Sequence, residues 1–122
     1  MSKELTYETV VSTLVEHVPE LRALRDDHYR QYGEILPHVF FGDLTRFVQT
    51  GFACPSSSSG RQVVMRILDL LERTISSVDN RLQELVSVSF LENLDQDSSA
   101  FAQIRASLGP RLKEELAKYK SN

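Results

Sequence analysis

The stretch that decides the fold is Val63-Val64-Met65-Arg66-Ile67-Leu68-Asp69-Leu70-Leu71-Glu72-Arg73-Thr74-Ile75-Ser76-Ser77-Val78. Its apolar residues Val64, Ile67, Leu68, Leu71, Ile75 and Val78 step by three, one, three, four and three, which is the spacing of one helix face. Val63 and Leu70 widen the stripe, so the sequence predicts a central helix. Upstream, Ala53-Cys54-Pro55-Ser56-Ser57-Ser58-Ser59-Gly60 is small and polar and reads as a flexible loop near residues 52–60. Downstream, Asp79 can cap a further helix carrying Leu82, Leu85, Val86, Val88, Phe90, Leu91 and Leu94 on more than one face.

The same punctuation divides the rest of the chain. Val10, Val11, Leu14, Val15 and Val18 define a first helix near Thr6–His17. Pro19 suits the first position of a second helix, where Leu21, Leu24, His28 and Tyr32 share a face. Gly33 ends that helix as a left-handed residue. Pro37 opens a third helix with Phe40, Phe41, Leu44, Phe47 and Val48 facing inward, and Gly51-Phe52 reads as its stop. Asp97 is placed to cap a sixth helix with Phe101, Ile104 and Leu108, and Gly109-Pro110 is a stop followed by a start. The last helix, Arg111–Tyr119, turns Leu112, Leu116 and Tyr119 to one side. Val86-Ser87-Val88-Ser89-Phe90 alternates like a strand, but its flanks favour helix. The expected fold is all-α: a single compact bundle of six to seven helices spanning residues 1–122.

Composition narrows function by exclusion. The 122 residues carry a net charge of −3, with no basic stripe for nucleic acid. One cysteine, Cys54, permits no internal disulfide. The first residues lack the apolar core of a signal peptide, and no apolar run is long enough to span a bilayer, so a cytoplasmic protein without membrane contact is expected. His17, His28 and His38 form no helical metal-ligand spacing, so neither metal nor cofactor is expected. Cys54 has no basic neighbour closer in sequence than Arg46 and Arg61, and the serines at 56–59 read as linker. No nucleophile elbow or phosphate-binding glycine loop occurs, so an enzyme is not expected.

Two stretches suggest contact with a partner. In Leu36-Pro37-His38-Val39-Phe40-Phe41-Gly42-Asp43-Leu44-Thr45-Arg46, Gly42 interrupts a helix at a cost of about 1 kcal/mol, which close approach of another helix would justify. Asp43 and Arg46 can pair on one face of that helix. Glu92, Asp95 and Asp97 form an acidic end to the fifth helix, suited to steering a basic protein. The candidate partner-binding residues are therefore Asp43, Arg46, Glu92, Asp95 and Asp97.

These stretches carry a resemblance. Leu36–Arg46 and Val88–Leu94, followed by Leu108-Gly109-Pro110, resemble a family of small bacterial all-helical immunity-like proteins, from about Tyr29 onward. Such families are often encoded beside polymorphic or contact-dependent growth-inhibition toxins. The resemblance implies a protein that binds and neutralises a cognate toxin C-terminal domain, nucleases being one candidate activity, and it implies no catalytic residues. An alternative expectation is an adaptor for an endogenous partner, because Arg61–Ser77 and Asp79–Leu94 have the length of one HEAT or armadillo helix pair.

Overall fold

The computed structural model describes residues 5–53 and 58–119, and among them it contains seven α-helices and no strand. They are α1 (Val10–His17), α2 (Arg22–Tyr32), α3 (Pro37–Ala53), α4 (Ser58–Ile75), α5 (Asn80–Val86), α6 (Phe101–Ser107) and α7 (Pro110–Leu116). A 3₁₀ turn, Pro19–Leu21, leads into α2, and another, Ala117–Tyr119, follows α7. The all-α bundle expected from hydrophobic spacing is the fold observed. Its core runs along α3, α4 and α5, with Phe40, Phe41, Leu44, Ile67, Leu71, Leu82, Leu85 and Phe90 excluded from solvent.

Local chemistry sets several helix ends. Gly33 adopts φ 75°, and its N–H bonds the Tyr29 carbonyl, closing α2. The Asp79 carboxylate accepts the Arg81 N–H at 2.9 Å and caps α5. Pro110 takes the first position of α7. The α7 cap comes from another helix: the Glu72 carboxylate, on α4, accepts the N–H groups of Arg111 and Leu112, each at 3.0 Å. A carboxylate there satisfies two orphan donors and faces the positive end of the helix. A methyl group on Gly109 would collide with that carboxylate.

Four expectations are corrected. Gly51 does not end α3, which continues through Phe52 to Ala53, while α4 already begins at Ser58. The expected loop is thus shortened from both sides, and its residues 54–57, Cys54 among them, lie outside the described residues. Val78 is not part of the α4 stripe. The helix ends at Ile75 and Val78 is 96% exposed on the turn before α5. Tyr32 shares the face of His28, as the spacing predicts, with ring centroids 4.8 Å apart, at its exposed edge. Asp97 does not cap α6, which starts at Phe101 after a turn held by the Ser98 hydroxyl accepting the Ala100 N–H. Gly42 is not the close helix contact, because a Cβ there would meet only Asn93 Nδ2 at 3.9 Å. The close contact is at Gly51, where a Cβ would lie 2.5 Å from Val64 Cγ2.

The strand-like alternation resolves into a third kind of structure. Residues Ser87–Leu91 form a π-helix that continues α5, with the Glu92 N–H reaching back five residues to the Ser87 carbonyl. The wider turn brings Ser87, Ser89, Phe90 and Leu91 inward and leaves Val88 exposed. It also leaves carbonyls open to side chains. The Thr45 hydroxyl lies 3.4 Å and 3.3 Å from the Ser89 and Phe90 carbonyls while bonding Phe41 O in its own helix. Asn93 Nδ2 donates to the Ser89 carbonyl at 2.8 Å. The two serines clasp other helices. Ser89 Oγ is 2.5 Å from His38 Nδ1 at the start of α3. Ser87 Oγ donates to Glu115 Oε2 at 2.6 Å and lies 2.7 Å from the Tyr119 hydroxyl.

Candidate functional site

The two stretches singled out by resemblance therefore meet. His38 and Thr45 of the first touch Ser89 and Phe90 of the second, and Gly42 faces Asn93. Their side chains are spent on docking α3 against the π-helix. His38 and Ser89 are within hydrogen-bonding reach, but that pair joins two helices and lines none of the four main surface cavities. Among the described residues, a cavity large enough to receive a partner segment lies elsewhere.

That cavity is a groove of about 760 Å³ between α2, α3 and α4. Helical spacing builds it. On α3, Asp43, Arg46, Phe47 and Thr50 recur at three and four residues and occupy the face next to the one buried by Phe40, Leu44 and Val48. Val63 and Arg66 project from α4, and Leu24 comes from α2. Leu24, Phe47 and Val63 form an apolar floor, with Leu24 and Phe47 only half-buried. Gly51 and Gly60 line the end near the α3–α4 connection, where absent side chains leave backbone exposed to the groove.

The rim carries charge that is already paired. Asp43 and Arg46 form an ion pair on α3. Arg66 Nη2 bonds Glu20 Oε2 at 2.6 Å, and its Nη1 lies 3.5 Å from the His17 carbonyl, tying α4 to the chain before α2. The Glu20 carboxyl is held below its ordinary value, first by its own backbone N–H and then by the Arg66 guanidinium. Such exposed pairs are screened by solvent, add little to stability and serve mainly to set the shape and polarity of the rim.

The structure thus places Asp43 and Arg46 together at the groove. Glu92, Asp95 and Asp97 do not line it. They lie exposed on the turn after the π-helix, where Asp95 Oδ1 accepts the Asp97 N–H at 3.0 Å and the Asp95 N–H bonds Gln49 Oε1 at 2.6 Å. Leu24, Phe47, Val63, Glu20 and Arg66 complete the groove, and sequence spacing gives no sign of that role. An apolar residue at helical spacing reads alike whether it faces a core or a cleft.

A second, polar cavity of about 460 Å³ lies between α5 and α7 and includes Ser87, Glu115 and Lys118. The Glu115 carboxyl is held below its ordinary value, first by the Ser87 hydroxyl and then by Lys118. Among the described residues, no group of three or more His, Cys, Asp and Glu is placed to hold a metal ion. Among the same residues, no helix is long and apolar enough to cross a membrane.

With this geometry in place, sequence comparison assigns the family. The chain belongs to DUF7674, a domain of unknown function. The match covers residues 11–121, so it includes α1 from its second residue, α2 to α7, the groove and the π-helix. No curated protein and no solved structure matches the chain. In this DUF7674 domain the groove is an apolar cleft with a self-neutralised rim.

Proposed function

We propose that this protein is an immunity protein that binds a cognate bacterial toxin domain and neutralises it by covering its working surface. The observation that carries the reading is the groove. Its floor of Leu24, Phe47 and Val63 is apolar, and its charges are already paired at the rim, so an occupant need not supply counter-charge. From Asp43 to Gly51 the groove follows α3 for about 12 Å at 1.5 Å per residue, which suits two turns of an amphipathic helix or a short apolar loop of the toxin. Glu92, Asp95 and Asp97 add an exposed acidic patch that steers a basic toxin domain toward the protein. The resemblance of Leu36–Arg46 and Val88–Leu94 to immunity-like proteins names the partner class. Action on a toxin that has entered the cell places the protein in the cytoplasm, and covering a surface needs no catalytic set.

The test is co-expression with any candidate toxin domain found encoded beside this gene. Wild-type protein should restore growth and co-purify with the toxin. Phe47→Asp and Leu24→Asp should abolish both while keeping the helical circular dichroism of the parent. Persistent growth arrest with no recoverable complex would refute the proposal. The short turn between α4 and α5 makes them a helical hairpin, and this favours a second reading as an adaptor for an endogenous partner. A stable partner captured through the same groove from cells lacking the toxin gene would support that reading instead.

A further inference from the structure

Three features stand outside the reading so far: the Ser87–Glu115–Tyr119 cluster, the His38–Ser89 pair and the anchoring of α2. The first two are consumed in holding helices together. The third has a dynamic consequence.

Helix α2 has eleven residues, and only one of them, His28, is buried. By contrast, α1 buries five of its eight. The ion pairs of α2, Arg25–Asp26 and Arg30–Asp27, lie within the helix, so they support it as a helix without tying it to the bundle. The bond from the Leu36 N–H to His28 Nε2, at 2.9 Å, fastens α2 to its own connecting segment. His28 Nδ1 is buried and has no hydrogen-bond partner, although the ring sits edge-on to Phe40 with centroids 5.8 Å apart. A buried polar atom without a partner weakens the anchor it belongs to. Leu24, half-buried, is the other apolar side chain of α2 packed against the core. Its C-terminal end is built to turn, because left-handed Gly33, with nothing within 4 Å of its Cβ position, follows it, whereas at the other end Leu21 is fully buried and Glu20 is held by Arg66.

We infer that α2 is a movable wall of the groove, opening locally from its Gly33 end while buried Leu21 holds the other end in the core, to uncover Phe47 and widen the cleft. The inference rests on the reading of the groove as a docking site and assigns that site its regulation. Elements with few buried apolar contacts open locally, without global unfolding. A toxin segment entering the groove displaces α2 and needs no rearrangement of α3 or α4.

Native-state hydrogen exchange on the free protein tests this without any partner. Amides of α2 from Asp26 to Tyr32 should exchange at least about tenfold faster than those of Phe41–Val48 in α3 and Ile67–Leu71 in α4. His28→Ala should accelerate exchange in α2 and leave the α3 and α4 rates near their parental values. Leu24→Ala, a milder truncation at a half-buried position, should do the same if His28→Ala folds poorly. Equal protection of α2 and α3, or acceleration of all helices in parallel by Leu24→Ala, would overturn the inference. Failure of toxin rescue would remove the groove's proposed partner and leave the exchange result untouched, so the two readings fail separately.

Discussion

Replacing Gly51 by alanine tests the packing of α3 on α4 directly. Two effects oppose each other. Alanine in a helix interior gains up to about 1 kcal/mol over glycine. At Gly51 the gain is smaller, because α3 ends two residues later at Ala53. Against it stands a collision, because the new Cβ would lie 2.5 Å from Val64 Cγ2. Val64 is fully buried and β-branched, so it has no free rotamer to escape into. Overpacking of this kind costs about 1–3 kcal/mol. The collision wins, and Gly51→Ala should destabilise the protein by about 1 kcal/mol, or roughly 4 °C in melting temperature for a domain of this size. Gly42→Ala is the internal control. Its Cβ would meet only Asn93 Nδ2 at 3.9 Å, so the helix gain stands and stability should rise by about 0.5–1 kcal/mol. Urea denaturation of both variants gives the comparison. Adding Val64→Ala to Gly51→Ala should recover at least about 1 kcal/mol relative to additivity, because the added methyl then fills space the valine vacates. A Gly51→Ala protein as stable as Gly42→Ala would refute the reasoning.

Other perturbations follow from single contacts. Thr45→Val should cost about 1–3 kcal/mol, because the Ser89 and Phe90 carbonyls lose a buried donor, whereas Thr74→Val should cost under about 1 kcal/mol, since that hydroxyl bonds only Leu70 O in its own helix. Chemical denaturation of the two variants should rank them in that order. Glu115, whose folded carboxyl lies below its ordinary 4.5, contributes stability that is present above pH 4.5 and lost as the pH falls through the folded value. Ser87→Ala removes the largest cause of that shift, so it should flatten the stability profile below pH 4.5, and unchanged acid sensitivity would contradict the assignment. Combining Glu92→Gln, Asp95→Asn and Asp97→Asn should slow toxin association about tenfold at low salt with little change in dissociation, as measured by stopped-flow. Asparagine at position 95 keeps an oxygen for the Asp97 N–H, so the turn should survive.

What the sequence reveals here depends on range. The α4 stripe, the Gly33 stop, the Asp79 cap and the Pro110 start rest on neighbours within four residues, and each appears where spacing and side-chain chemistry put it. Gly51 and Gly42 look alike locally, and only the position of Val64 on another helix tells them apart. Glu72 caps α7 from 39 residues away in sequence, beyond any local signal. Val78 continues an arithmetic pattern past the point where Ser76 and Ser77 release the helix. In Ser87–Leu91 the alternation of the sequence does not carry into burial, since Ser87 and Ser89 are buried and Val88 is exposed, and the widened helical turn decides which side chains face inward. Asp43 and Arg46 are legible as a pair because they are three residues apart, and the groove they border is not, because three separate helices build it.

The π-helix also sets how the molecule can come apart. Its buried carbonyls lie against the Thr45 hydroxyl, its two serines hold His38 and Glu115, and so one turn of backbone is shared between the first half of α3 and the end of α7. Loosening that turn strands polar groups on three helices at once. The residues 87–92 therefore work as a keystone, and α3, α5 and α7 must part together while α2 remains free to part alone.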